Sequence, residues 1–275
     1  MAVRLAFSAW AMPKLPLADQ IRIVREAGYA GIELVHEPHG NLDATRLDAS
    51  GRAEVRRRLE RSGLTATAMA AHGNPLAPNA AEEMARVGAA IDLAADLGIP
   101  SVITMGYGRP EEYEAKRDAI ADAFKRLAER AARRGVVVAL EPHVGQAIDL
   151  PEKCLWLIER VGSPHFRLNF DNSHFEVMGV DLEEYLPPLV PYSVHTHLKD
   201  QRGLSPSHEF LVPGEGTFDY ARYLAAMQRA GYGGWITVEI SVMVQRRSDY
   251  DPAQVARASR ETLGDAATRA GVALG

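Results

Sequence analysis

One cysteine is all the chain contains. No internal disulfide can form, and Cys154, followed by Leu155, Trp156 and Leu157, reads as a buried helix residue in a protein of a reducing compartment. No apolar run approaches the ~20 residues that a membrane helix needs. No Gly-x-Gly-x-x-Gly or Walker-type loop follows the first apolar run, so the usual signals of a nucleotide-binding open sheet are missing. A basic field is missing as well: 31 Lys and Arg against 36 Asp and Glu leave a net charge of -5. That balance does not suit a phosphate backbone, and Arg56-Arg57-Arg58 reads as the solvated face of a helix. Neither nucleic acid nor membrane is an expected partner, and a cytoplasmic location is expected. Residues 4–12 carry an early cation and a short apolar run, as a secretion signal would. Pro13 and Lys14 cut that run short, and it reads as a first strand followed by a loop.

What is present is a large apolar complement, 47% of 275 residues, with 24% charged. These proportions describe an ordinary globular protein, expected to form one domain over 1–275. Short β-branched or apolar runs alternate with longer amphipathic segments, the pattern of repeated βα units. Eight candidate strands fall at 4–9, 31–37, 64–71, 101–107, 136–142, 166–172, 192–199 and 235–240. Helical patterns lie between them, among them 17–27, 80–97, 118–134 and 218–230. Gly28, Gly63, Gly98, Gly135 and Gly231 stand where left-handed helix caps are expected, a few residues before the next strand. The αβ turns are therefore tight and the βα loops long. Eight units of about 30 residues favour closure into a single (β/α)8 TIM barrel over an open doubly wound sheet, with the chemistry at the carboxyl ends of the strands. The loop 203–216 is long enough to act as a partial lid.

Four consecutive predicted strands end in a polar residue after an apolar run. Val136 to Leu140 precede Glu141, Phe166 to Phe170 precede Asp171, Val194-His195-Thr196 precede His197, and Ile236-Thr237-Val238 precede Glu239. In a closed barrel these ends are neighbours on one rim, and three carboxylates that close repel one another unless a cation neutralises them. Three oxygens and one nitrogen make a borderline-hard site. Mn²⁺ is the first expectation, with Mg²⁺, Co²⁺ and Zn²⁺ also suited.

Leu140-Glu141-Pro142, the segment from Asn169 through Asp171 to His174, His195-Thr196-His197-Leu198-Lys199-Asp200, Pro213-Gly214-Glu215-Gly216 and Val238-Glu239-Ile240 together carry a family likeness. In their order and spacing the chain resembles the xylose isomerase-like TIM barrels, a superfamily of sugar isomerases and epimerases, inosose dehydratases and endonuclease IV. The resemblance to its ketose 3-epimerases implies that Glu141, Asp171, His197 and Glu239 bind the metal and that Glu141 and Glu239 form the acid/base pair. It also implies that His174 meets the substrate oxygen that gains charge. The family's substrate-binding Arg beyond the metal His has no counterpart in place: Gly203 stands there, and Arg202 is adjacent.

The expected activity is that of a metal-dependent isomerase or epimerase, acting through an enediolate on a small sugar or polyol, phosphorylated or not. A metal chelating a carbonyl and its neighbouring hydroxyl stabilises that intermediate, one Glu removes the proton, and the other returns it. Loss of a β-hydroxyl from the same intermediate gives dehydration, the alternative reading. A nuclease would need further ligands. The fourth strand ends in Met105-Gly106-Tyr107 without a His, and Pro206 replaces the Asp that the nuclease resemblance would require shortly before His208. A binding protein without catalysis is the third reading.

His72, after the third strand, is a candidate substrate contact, as is His208, descending from the lid. Glu37 with His36 and His39, and His143, are weaker candidates at the same rim. Lys199, Arg202, Arg246 and Arg247 read as solvated cations that could meet an anionic group. Trp10 is an apolar wall for a sugar face or a core residue. His195 is expected to face the barrel wall as a structural residue. Barrels of this kind commonly pair, so a homodimer is compatible with the sequence.

Overall fold

The structure, a computed structural model, describes residues 2–275. All eight expected strands form: β1 (Arg4–Ser8), β2 (Gly31–Val35), β3 (Thr65–Ala70), β4 (Ser101–Met105), β5 (Val137–Glu141), β6 (Phe166–Asp171), β7 (Ser193–Leu198) and, after a short antiparallel pair β8 (Asp200–Arg202) and β9 (Glu209–Leu211), β10 (Trp235–Val238). They close in the order β1-β10-β7-β6-β5-β4-β3-β2, parallel throughout, so the open-sheet alternative is excluded. Their outward faces are largely apolar because helices cover the outside, while side chains from opposite strands fill the inside.

The helices are α1 (Leu17–Glu26), α2 (Ala49–Ser62), α3 (Ala80–Leu97), α4 (Tyr113–Arg134), α5 (Pro151–Val161), α6 (Asn172–Glu176), α7 (Leu182–Leu189), α8 (Tyr220–Arg229), α9 (Val242–Gln245) and α10 (Pro252–Ala270). The five glycines expected as caps all have φ between 67° and 82°. One boundary differs from expectation: α4 starts at Tyr113, five residues earlier than the sequence pattern suggests. A turn at Pro110–Glu112, closed by Glu112 accepting the Arg109 N–H, leads straight into the helix. The Arg56-Arg57-Arg58 run lies on the exposed side of α2, paired locally with Glu54 and Glu60. Cys154 is buried in α5. Among the described residues no helix is long and apolar enough to cross a membrane.

Inside the barrel, Ala68, Ile103 and Ala139 make a small apolar floor. Gly31 lets β1, β2 and β3 approach there: a Cβ on it would lie 2.5 Å from Thr67 Cγ2 and 2.9 Å from Trp235. Above that floor the inward positions become polar. With a period of two, β6 turns Asn169 and Asp171 inward and β7 does the same with His195 and His197. Register sets His197 opposite Asp171 on one side and Thr237 on the other.

The expected lid, 203–216, is an ordered hairpin. β8 pairs antiparallel with β9, and the Asp200 carboxylate accepts the backbone N–H groups of Gly214, Gly216 and Phe218. This places Phe210 over the rim.

Candidate active site

Glu141, Asp171, His197 and Glu239 meet at the carboxyl ends of β5, β6, β7 and β10. All four are buried, each offering one ligand atom within 4.8 Å of the others. His197 Nδ1 lies 3.2 Å from Glu141 Oε1 and 3.6 Å from Glu239 Oε1. Asp171 caps α6: its Oδ1 accepts the Ser173 N–H and hydroxyl, which leaves Oδ2 facing the cluster.

Two further charged groups complete the site, and neither was read this way from the sequence. Lys199 is buried, not solvated. Its Nζ sits 2.8 Å from Asp171 Oδ2 and also pairs with Glu239 Oε2. Glu33, on β2 across the barrel, accepts a hydrogen bond from His197 Nε2 at 2.6 Å and one from Ser8 Oγ at 2.6 Å. His195 also points inward, because residues two apart on a strand share a face; the expectation that it would face the wall is corrected. Its Nδ1 donates to Asn169 Oδ1, while Nε2 accepts from Thr67 and Thr237.

The electrostatics follow from this packing. Burial alone would raise Asp171 and Glu239, but the charges of Lys199 and His197 outweigh it and hold both carboxyls low. Burial also opposes a charge on His197, yet Glu33, Glu141 and Glu239 drive its affinity for a proton well up. His195, desolvated and beside the charge of His197, falls to about 4 although the Glu33 and Glu239 carboxylates oppose the shift. His174 is pushed well below its ordinary value by burial and by the neighbouring His143 and Lys199.

Counting Glu33, four buried carboxylates face one permanent cation, Lys199. Such an excess of like charge in a dry site is unfavourable by several kcal/mol per unpaired ion. A divalent ion among three carboxylate oxygens and one imidazole nitrogen would offset it, and the donor set fits a borderline-hard metal. No thiol is near, since Cys154 is in α5.

Above the cluster lies a cavity of about 140 Å³ walled by Trp10, His72, His143, His174, Phe210 and Val242, with Glu141, Glu239 and Lys199 at its base. His174 Nε2 is 3.7 Å from Asp171 Oδ2 and 3.8 Å from Glu141 Oε1, and neither of its ring nitrogens has a hydrogen-bond partner among the described residues. Its ring lies 3.8 Å from that of His143. His72 packs edge-on to Trp10, with Nδ1 unpartnered.

Other candidates lie elsewhere. His208 packs against Phe210 on the hairpin and is not a cavity wall. Arg202 is on the exposed face of the hairpin, donating to the Glu215 carbonyl oxygen and pairing with Glu209. Arg247 pairs with Glu215. His36 Nδ1 accepts the Ala44 N–H and lies 2.9 Å from the Leu42 carbonyl oxygen, which makes it a loop anchor. Larger clefts occur on the outer helices, for example beside Arg52 and Asp96, without converging acid–base groups.

Comparison with known proteins agrees with this fold. The chain is 28% identical to an inosose dehydratase of Geobacillus thermodenitrificans over 57% of its own length and 58% of that protein's. It spans little more than half of that relative. Its fold matches the crystal structure of 3-keto-D-glucoside 4-epimerase from E. coli, at 20% identity and TM-score 0.77, over 97% of this chain and 99% of that one. It also matches a xylose isomerase-like TIM barrel protein from Mycobacterium smegmatis in complex with magnesium, at 21% identity and TM-score 0.75, over 98% of both chains. The family described as xylose isomerase-like TIM barrel matches residues 21–266. A closed parallel barrel and a match over most of its length make the chain a member of the xylose isomerase-like TIM barrel family.

Proposed function

We propose that the chain is a divalent-metal-dependent enzyme that moves a proton beside the carbonyl of a small polyhydroxylated ketone, epimerising or isomerising it. The observation that carries this reading is the meeting of Glu141, Asp171, His197 and Glu239 under a cavity of about 140 Å³, room for one small polyol. A divalent ion, Mn²⁺ by the donor set, would supply Lewis acidity to the carbonyl and its neighbouring hydroxyl and so stabilise an enediolate.

The chain's own groups do the rest. Lys199 keeps Glu239 ionised and therefore able to take a proton at neutral pH. Glu141, from another stave of the rim, would return one from its protonated form after taking that proton from solvent, so that the two carboxyls exchange protonation states in each turnover. Neutral His174, with its nitrogens unpartnered, offers a hydrogen bond to the oxygen that gains charge, and His72 and Trp10 wall the substrate. Phe210 excludes water from above.

Dehydration is a second reading, favoured by Lys199: a buried ammonium at the base of the cavity would donate a hydrogen bond to a departing β-hydroxyl while keeping its own proton. Sequence similarity to an inosose dehydratase supports it as well. Incubation of the Mn²⁺-loaded protein with a panel of ketoses and inososes in D₂O separates the two. Carbon-bound deuterium without water loss supports epimerisation or isomerisation, whereas an unsaturated product supports dehydration. Metal and sugar binding with neither outcome would make it a binding protein.

A further inference from the structure

Glu33 is a fully buried carboxylate that is not a wall of the cavity, and it lies across the barrel from β7. Apolar residues at such a position commonly give equal or better stability, so an ionised side chain there calls for a role. Both its oxygens are engaged. Oε1 accepts the Ser8 hydroxyl at 2.6 Å, and Oε2 lies 2.6 Å from His197 Nε2. Ser8 Oγ in turn accepts the Trp10 N–H at 3.1 Å, so the carboxylate is fixed from β1. On the other edge of the same imidazole, Nδ1 faces Glu141, Glu239 and, at 3.1 Å, the amide nitrogen of Asn169, which donates to a lone pair there.

A ring whose Nε2 carries the hydrogen and donates it to a carboxylate has its lone pair on Nδ1. That arrangement fixes the tautomer and rotation of a metal-binding histidine and raises its basicity as a ligand.

We propose that Glu33 is a positioning residue for the metal centre: by accepting Nε2–H of His197 it holds that imidazole with Nδ1 presented to the cation, and Ser8 holds Glu33 in place. The inference rests on the reading of Glu141, Asp171, His197 and Glu239 as metal ligands and adds to it a residue outside that ligand set.

The test is metal binding by the full chain after chelator treatment and desalting, with Mn²⁺ titrated calorimetrically and Co²⁺ followed by its visible absorption. Glu33→Gln is expected to weaken Mn²⁺ binding by roughly 10–100-fold. It should also shift the Co²⁺ bands while the ion-free protein keeps its far-UV spectrum. Ser8→Ala, which leaves Glu33 present but unheld, is expected to give a smaller loss in the same direction. Glu33→Asp, which keeps the charge, covers the case in which Glu33→Gln does not fold, and it too is expected to weaken binding because the shorter side chain draws away from Nε2. If Glu33→Gln, or Glu33→Asp in its place, binds Mn²⁺ within about twofold of wild type with unchanged Co²⁺ bands, the role of Glu33 is overturned and the metal reading stands. A wild-type protein that takes up no Mn²⁺ overturns the metal reading itself.

Discussion

Lys199 holds its ammonium against Asp171 and Glu239 and is almost wholly removed from water. Breaking one partner out of a buried ion network costs about 3–5 kcal/mol, because the remaining charges stay desolvated. Lys199→Met is therefore expected to lower the thermal midpoint of the ion-free protein substantially, and added Mn²⁺ should recover part of that loss; unfolding curves with and without Mn²⁺ check both. Glu141→Gln and Glu239→Gln would each remove one proposed proton carrier while keeping the side-chain shape. Each is expected to abolish turnover with the fold intact by circular dichroism. Unchanged turnover in either would remove that residue from the acid–base pair.

Away from the site, burial would raise Asp43, but the Thr45 hydroxyl and the N–H groups of His39 and Thr45 outweigh it and bring the carboxyl down to about 2. A depressed folded value means that the unfolded chain takes up the proton first. This stabilisation is complete above the ordinary value of 3.8 and is lost as pH falls towards 2. The stability gap between wild type and Asp43→Asn should thus be open at pH 6 and shrink below pH 4, as read from urea midpoints. The four rim donors were legible because each follows an apolar run. Glu33 was not, since it stands alone inside such a run and its partner, His197, is 164 residues away. Lys199 was within reach: residues 195, 197 and 199 share one face, and the same count places His195 inside.

At the scale of elements, strands and helices carried strong local signals, and the hairpin of β8 and β9 did not. Its turn is flanked by polar residues, and its shape depends on Asp200 gathering three backbone N–H groups 14 to 18 residues away, which no periodicity reveals. Hydrogen bonds to a charged group contribute about 1.5–3 kcal/mol each, so Asp200→Ala should loosen the hairpin markedly. Gly216 is constrained by the same knot: a Cβ there would fall 2.5 Å from the Gln201 carbonyl oxygen and closer still to Asp200. With Phe210 displaced, substrate binding is expected to weaken while Mn²⁺ affinity is retained, a contrast that KM and calorimetry measure separately.

For the whole molecule, closure of the barrel and the proposed binding of a cation would be linked, because the candidate donors come from four staves, β5, β6, β7 and β10, that are assembled only in the folded state. An ion present at 100 times its Kd stabilises the folded state by about 2.7 kcal/mol. For a chain of this size that corresponds to a rise of roughly 5 °C in thermal midpoint. Differential scanning calorimetry with Mn²⁺ should register the rise and excess chelator should abolish it; no change on either addition would oppose the proposed centre. The eight-fold repeat and the direction of the rim were legible throughout the chain. The reaction was not, because the walls that choose it come from loops whose paths are set by tertiary contacts.

The hairpin is fastened to the barrel by a short stalk after β7 and by the Asp200 knot, whereas every proposed metal ligand belongs to the staves beneath it. Roof and hearth are thus separable inheritances. Evolution, or an engineer, could transplant a different strap between Asp200 and Phe218 and reshape the roof of the cavity without disturbing the proposed ligands below.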